Sequence, residues 1–195
     1  MTELNTKSLK DFRNQLRKIQ RECALSQGSW RPLETFELLP FLKSHFSKDS
    51  FQVGYFAPRK DWDEPEQLPN PEEGIERLFP CLDNETLSFK KCHSSQLVFH
   101  HELGVWQAPV HRPDAIPDLI FLPCFAVDRE GRRIGRGGGF YDGFLKANPA
   151  VFSLGICRSH YVFEKLPSHF FHERDQKINA LLTENEFLSS LKEYS

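Results

Sequence analysis

Along the first part of the chain, apolar residues recur at helical spacing. Within residues 6–23, Leu9, Phe12, Leu16, Ile19 and Cys23 fall at steps of three and four, which draws one apolar stripe along an amphipathic helix. Lys10, Arg13, Arg17 and Arg21 run beside it with the same spacing. Such a row either faces solvent or edges a pocket for phosphates or carboxylates, and spacing alone does not choose. Residues 30–46 are predicted helical on both sides of Pro40, which removes one backbone donor and kinks or ends the helix.

From Phe51 the pattern changes to short apolar runs. Residues 51–57 (FQVGYFA), 77–82 and 86–91 are predicted strands, the last two joined by a turn at Asp83-Asn84. Between them residues 58–71, rich in proline and acid, hold no period and form a loop. Its Asp61-Trp62-Asp63-Glu64 is either a solvated acidic turn or the wall of a site for a polar heterocycle. Residues 96–101 form a short extended piece. Residues 104–117 carry three prolines and read as loop around Trp106.

Leu119 to Leu122 is an apolar run of buried-strand length. Residues 151–157 (VFSLGIC) make a strong strand, 178–182 a last strand, and 184–191 a terminal helix. Strands alternating with helices predict a single, mostly parallel α/β sheet with helices on both faces, an open sheet of the Rossmann-like kind.

Composition narrows the function classes. At 195 residues the chain suits one domain spanning residues 1–195, and 39% hydrophobic with 27% charged residues marks a soluble globular protein. A net charge of -2 gives no bulk reason to expect nucleic acid or membrane as a partner. An RNA-binding role for the helix 1 cations is weak as well, because no aromatics interleave them as on a stacking platform. No apolar run approaches membrane-spanning length, and the polar N-terminus lacks a secretion signal, so the expected location is cytoplasmic. The five cysteines form no CxxC pair, so neither zinc nor a disulfide framework is expected from their spacing. His100 and His101 point to opposite faces of a strand and cannot share one metal.

The candidate chemistry lies after the 119–122 run. Five glycines (Gly131, Gly135, Gly137, Gly138 and Gly139) fall within nine residues, followed by Phe140-Tyr141-Asp142 at a helix start. Strand, glycine loop and helix start together present backbone N–H groups to an anion. The P-loop is excluded because no glycine precedes a Lys-Ser/Thr pair. The dinucleotide pattern is excluded because the sixth position counted from Gly135 is Phe140. Three consecutive glycines let backbone approach a ligand closely, Arg133 and Arg136 bring forked donors, and Asp142 is placed to hold a hard cation bridging phosphates.

At these residues the chain resembles the 5-formyltetrahydrofolate cyclo-ligase family, also called methenyltetrahydrofolate synthetases. The family pattern of a strand ending in Pro, an Asp, then Gly-x-Arg-x-Gly-x-Gly-x-Gly-Tyr-Tyr-Asp is met by Pro123, Asp128, Gly131, Arg133, Gly135, Gly137, Gly139, Phe140, Tyr141 and Asp142, with Phe140 replacing a tyrosine. The basic first helix, the acidic loop and the stretch from Leu166-Pro167 through Asp175 to Glu184 extend the likeness along most of the chain.

The resemblance implies ATP and Mg²⁺ as cofactors and 5-formyltetrahydrofolate as substrate. The formyl oxygen is phosphorylated, N10 attacks, and 5,10-methenyltetrahydrofolate, ADP and phosphate result, in a monomeric enzyme. It assigns catalysis to Arg133, Arg136 and Tyr141, and the nucleotide to Lys10, Arg13, Arg133, Gly135, Gly137, Gly138, Gly139 and Tyr141. The folate falls to Asp61, Trp106, Arg136, Gly137, Gly138, Gly139 and Phe140, and the metal to Asp142 and Asp175. Two further positions depart from the pattern: the family's N-terminal lysine falls on Leu9, one residue before Lys10, and its pterin-binding glutamate falls on Asp61. These departures leave a non-catalytic folate- or nucleotide-binding paralogue as the alternative.

Overall fold

A computed structural model describes residues 8–59, 61–69 and 73–189. In chain order its elements are α1 (Leu9–Ser26), α2 (Leu38–His45), β1 (Phe51–Gly54), β2 (Ile75–Asp83), β3 (Thr86–Lys91), β4 (Val98–His100) and β5 (Val105–Gln107). Then come β6 (Leu119–Pro123), β7 (Ala126–Asp128), β8 (Arg133–Ile134), α3 (Phe140–Ala147), β9 (Phe152–Ile156), β10 (Val162–Phe163), β11 (Ala180–Leu182) and β12 (Phe187–Ser189). Seven strands form the central sheet in the order β12-β11-β9-β6-β1-β2-β3. The four inner pairings are parallel, and only the outermost pair at each edge is antiparallel.

The middle strand shows why the sheet needs cover on both sides. Leu119, Ile120, Phe121 and Leu122 on β6 are all buried, and alternate side chains point to opposite faces. Ile120 and Leu122 pack with Phe12 and Leu16 of α1 and with Phe144 and Leu145 of α3. Leu119 and Phe121 pack on the other face with Leu38 and Leu42 of α2. The sheet is thus mostly parallel with helices on both faces, as the alternation of strands and helices predicts.

β1 and β2 are parallel neighbours, yet among the described residues of the loop joining them no helix occurs. The loop instead runs over the carboxyl ends of the strands. Beside the main sheet, β7 and β8 form a hairpin that carries β10 on its free edge, and β4 pairs with β5.

The structure corrects several expectations. The predicted helix over residues 30–46 exists only as α2, with Pro40 in its first turn, where the missing N–H has no partner to lose. Upstream of it, backbone groups are spent on distant loops: Glu66 N donates to Trp30 O at 2.7 Å and Leu33 N to Thr183 O at 2.8 Å. Trp106 lies on β5 rather than in a loop. The terminal helix expected over 184–191 is replaced by β12, because Thr183 closes a tight turn and sends the chain back along β11. Its Oγ1 accepts from the N–H groups of Asn185 and Glu186 at 3.1 and 3.0 Å. Residues 190 and 191 of that span, and residues 6 and 7 of the first helix, lie outside the described residues.

Candidate active site

A cleft of about 900 Å³ opens beyond the carboxyl ends of the parallel strands, where Phe56 and Ala57 follow β1 and Pro123 ends β6. Open α/β sheets bind ligands at this edge. The floor is the glycine loop, held by the β7–β8 hairpin that precedes it.

That hairpin is organised by Asp128, which is completely buried. Its Oδ1 accepts from the N–H groups of Glu130 and Arg132 at 3.1 and 2.9 Å, and its Oδ2 from Arg132 Nε and Leu166 N at 2.8 and 3.0 Å. The motif aspartate is therefore structural. Downstream, Gly137 and Gly139 adopt φ of 107° and 69°, a region that side chains rarely enter. A Cβ on Gly138 would lie 2.5 Å from the Phe140 ring. The loop is built to be bare.

Arginines converge on it. Arg13 Cζ lies 3.8 Å from where a Gly137 Cβ would stand, and Arg17 Nη2 donates to Arg136 O at 3.0 Å. One edge of α1 thus walls the cleft, which chooses the pocket reading of its cationic stripe for these two residues. Arg133 Nη2 donates to Asp142 Oδ1 at 2.9 Å, and Arg136 pairs with Glu64. The Nε atoms of Arg13, Arg133 and Arg136 are buried without a hydrogen-bond partner. Arg13, Arg133 and Arg136 all line the cleft around the bare loop, a concentration of forked cations of the kind that suits an anion. Burial holds the Arg13 guanidinium below its ordinary value, while the Asp175 and Asp142 carboxylates act against that.

Asp142 and Asp175 both line the cleft. Asp142 Oδ1 also accepts from Gln176 N at 3.0 Å, and Asp175 Oδ2 from His172 N at 2.8 Å. Each keeps its second oxygen free of hydrogen bonds among the described residues. Carboxylate oxygens are the donor type that a hard divalent ion of the Mg²⁺ kind takes.

The opposite end is aromatic. Trp62 stacks on Phe125 with ring centroids 4.8 Å apart, and Arg59 and Arg136 lie 5.4 and 5.5 Å from its ring centre. Trp106, Phe140 and Tyr141 complete the apolar wall. Burial pushes the Tyr141 hydroxyl up to about 12, so it remains a neutral donor through the physiological range.

Two of the expected site residues fall elsewhere. Lys10 is exposed and does not line the cleft, whereas Leu9 does: one residue is about 100° of helix. Asp61 is not a lining residue either. It is half exposed and pairs with Arg59 at 2.9 Å to Oδ1. Further along the same loop, Glu64 is 7% exposed, accepts from Arg59 N at 2.7 Å and pairs with Arg136, which lines the cleft. Burial pushes Glu64 up, against the pull of Arg136. Arg59, Phe171, Arg174 and Lys146 also line the cleft. Sequence patterns offered no signal for them, because none belongs to the glycine motif or shares a period with it.

Comparison with known proteins places this geometry. The model of the 5-formyltetrahydrofolate cyclo-ligase family matches residues 56–184. A 5-formyltetrahydrofolate cyclo-ligase of Haemophilus influenzae is 31% identical over 74 residues, 35% of this chain and 40% of the relative. The enzyme of that name from Mus musculus is 32% identical over 73 residues, 35% of this chain and 34% of the relative. The matched segments thus span less than half the length of these curated relatives. Among solved structures, an Aquifex aeolicus 5,10-methenyltetrahydrofolate synthetase superposes with a TM-score of 0.61 at 22% identity, covering 94% of each chain. One from Mycoplasma pneumoniae gives 0.53 at 13% identity, covering 87% of this chain and 96% of the other. These two likenesses establish the shared fold. With the family model matched from the end of β1 to just past β11, the chain belongs to the 5-formyltetrahydrofolate cyclo-ligase family.

Proposed function

We propose that this protein is an ATP- and Mg²⁺-dependent 5-formyltetrahydrofolate cyclo-ligase that forms 5,10-methenyltetrahydrofolate, ADP and phosphate. The observation that carries the reading is the convergence of Arg13, Arg133 and Arg136 on a glycine loop that opens into an aromatic-walled cleft. Phosphate oxygens fit the cationic end, and a flat heterocycle fits the Trp62, Phe140 and Trp106 faces.

In this reaction the terminal phosphoryl group of ATP passes to the formyl oxygen. The N10 lone pair then attacks the formyl carbon, N10 loses its proton, and phosphate departs with the carbon–oxygen bonding pair. Such chemistry asks for positioning and charge stabilisation rather than a protein nucleophile. Arg133 and Arg136 offer donors where charge gathers on the transferring group, and Arg13 reaches the same place from α1. Tyr141, neutral at working pH, offers its hydroxyl proton at the formyl end. Asp142 and Asp175 would hold a Mg²⁺ ion, which would supply charge neutralisation for the phosphates. Glu64, held by Arg136 and the Arg59 N–H, positions the Arg136 side chain that lines the cleft.

Purified protein given 5-formyltetrahydrofolate, ATP and Mg²⁺ is expected to develop the absorbance of the methenyl product. Folate binding with no ATP-dependent signal would overturn the proposal. That outcome would support the second reading, a folate- or nucleotide-binding paralogue without turnover, which the replacement of a wall cation by Leu9 favours.

A further inference from the structure

Away from the glycine loop, three residues distant in sequence meet behind the acidic loop: Cys23 near the end of α1, Asp63 between Trp62 and Glu64, and His160 after β9. Cys23 Sγ lies 4.0 Å from His160 Nε2, His160 Nε2 lies 3.7 Å from Asp63 Oδ2, and all three donor atoms fall within 4.8 Å of one another. Among the described residues no other group of three His, Cys, Asp or Glu donors comes so close. From this geometry we propose a binding site for one divalent ion of the zinc class on Cys23, Asp63 and His160.

The donor set selects the ion. A thiolate, an imidazole and a carboxylate suit Zn²⁺, whereas Mg²⁺ and Ca²⁺ take oxygen donors. With ordinary Zn–S, Zn–N and Zn–O bonds, tetrahedral neighbours stand about 3.3–3.6 Å apart. Side-chain rotations of a few tenths of an ångström close the two measured edges. His160 is 37% exposed while Asp63 is 1% exposed, so the fourth position faces water.

The carboxylate is also held as a ligand needs to be. Arg158 Nε donates to Asp63 Oδ1 at 2.6 Å and the Tyr161 hydroxyl to Oδ2 at 3.0 Å. Outer partners of this kind fix a ligand's orientation. The Arg158 guanidinium is the opposing charge. One thiolate and one carboxylate together with the ion and Arg158 leave a single net positive charge, which the half-exposed setting accommodates. The ion joins α1, which carries Arg13 and Arg17, to the loop that carries Trp62 and Glu64, so it ties two walls of the cleft together.

The test is a Co²⁺ titration of the metal-free full chain, reading the thiolate-to-cobalt charge-transfer band. One equivalent is expected to produce it and added Zn²⁺ to abolish it. Cys23→Ser is expected to remove the band, and alkylation of Cys23 in the native protein, where the other four cysteines are buried, serves as the same deletion without a substitution. His160→Gln is expected to weaken binding by at least the roughly tenfold to hundredfold that loss of an outer partner costs a metal site. Zn²⁺ alone is expected to raise the melting midpoint of the native chain and not of Cys23→Ser. The proposal is overturned by absence of the band, by a band or Zn²⁺ shift that survives Cys23→Ser, or by a band indifferent to His160→Gln, which marks a lone thiol adduct.

Discussion

Arg133 Nη2 and Asp142 Oδ1 stand 2.9 Å apart and close the glycine loop from its two ends, one residue on β8 and the other in the first turn of α3. Only 6% and 17% of their side chains are exposed. The pair ties the two ends of the loop together, and Arg133 Nε is buried without a hydrogen-bond partner among the described residues. The contact therefore links loop geometry to charge.

Removing Arg133 takes away the clamp and, on the proposed mechanism, a donor to the transferring group. Arg133→Ala is expected to lower kcat by about 10²–10³-fold, the usual cost of losing one preorganised donor at developing charge. Asp142→Ala is expected to abolish the Mg²⁺ dependence with the activity. Steady-state turnover across a Mg²⁺ series checks both, and full activity in Asp142→Ala would remove the metal assignment.

The bare loop makes a steric prediction. Gly138→Ala forces a Cβ to 2.5 Å from the Phe140 ring and is expected to displace Phe140 and suppress turnover, with partial recovery in the Gly138→Ala, Phe140→Ala double variant. Gly143→Ala, inside α3 with nothing within 4 Å of its new Cβ, is expected instead to stabilise the fold by about 0.5–1 kcal/mol. Urea unfolding and initial rates separate the two outcomes.

Leu9 offers a gain-of-function test. Because Leu9 lines the cleft and Lys10 does not, Leu9→Lys is expected to tighten ATP binding by about tenfold, the scale of one charge-assisted hydrogen bond. Lys10→Ala is expected to leave ATP binding unchanged. Equilibrium nucleotide titrations decide, and a large loss in Lys10→Ala would return that residue to the site.

Asp128 predicts a stability effect without chemistry. Its carboxylate is completely buried and receives four hydrogen bonds. Asp128→Ala is expected to cost about 3–5 kcal/mol, as removal of one partner from a buried charged network does. The denaturation midpoint in urea reads this directly, and a shift worth less than about 1 kcal/mol would contradict the structural role.

Tyrosine burial predicts an alkaline limit. Burial pushes Tyr141 from the ordinary 10.0 up to about 12, and raises Tyr55 and Tyr161 as well. A raised value in the fold means the native state binds more protons than the unfolded chain above pH 10. Stability from these groups is fully present below about pH 10 and is lost as pH rises toward their folded values. Melting midpoints are expected to fall from pH 10 upward together with a delayed tyrosinate absorbance, and Tyr141→Phe is expected to flatten part of that slope.

Much of this architecture was legible from local pattern. Leu119 to Leu122 reads as a buried strand because four consecutive apolar side chains need cover on both faces, and the sheet supplies it. The period of Leu9, Phe12 and Leu16 reads as a helix for the same reason. The glycine loop between β8 and α3 was legible too, since three consecutive glycines next to arginines mark a bare turn opening a helix. The span 184–191 was misread because its helical propensity is weak and the Thr183 turn pairs residues 187–189 with β11, a nonlocal gain that outweighs it.

The chain alone determined the strand order of events from β6 through the glycine loop to α3, together with the arginines and carboxylates offered there, because these depend on neighbours a few residues apart. Only the tertiary structure decided which of them face one cleft. Leu9 rather than Lys10 meets the loop because of helix phase, and Glu64 rather than Asp61 is enclosed because Arg59 draws Asp61 outward while Arg136 holds Glu64. Cys23, Asp63 and His160 come together because the sheet brings three chain segments to one edge, a coincidence in space that no spacing along the sequence encodes.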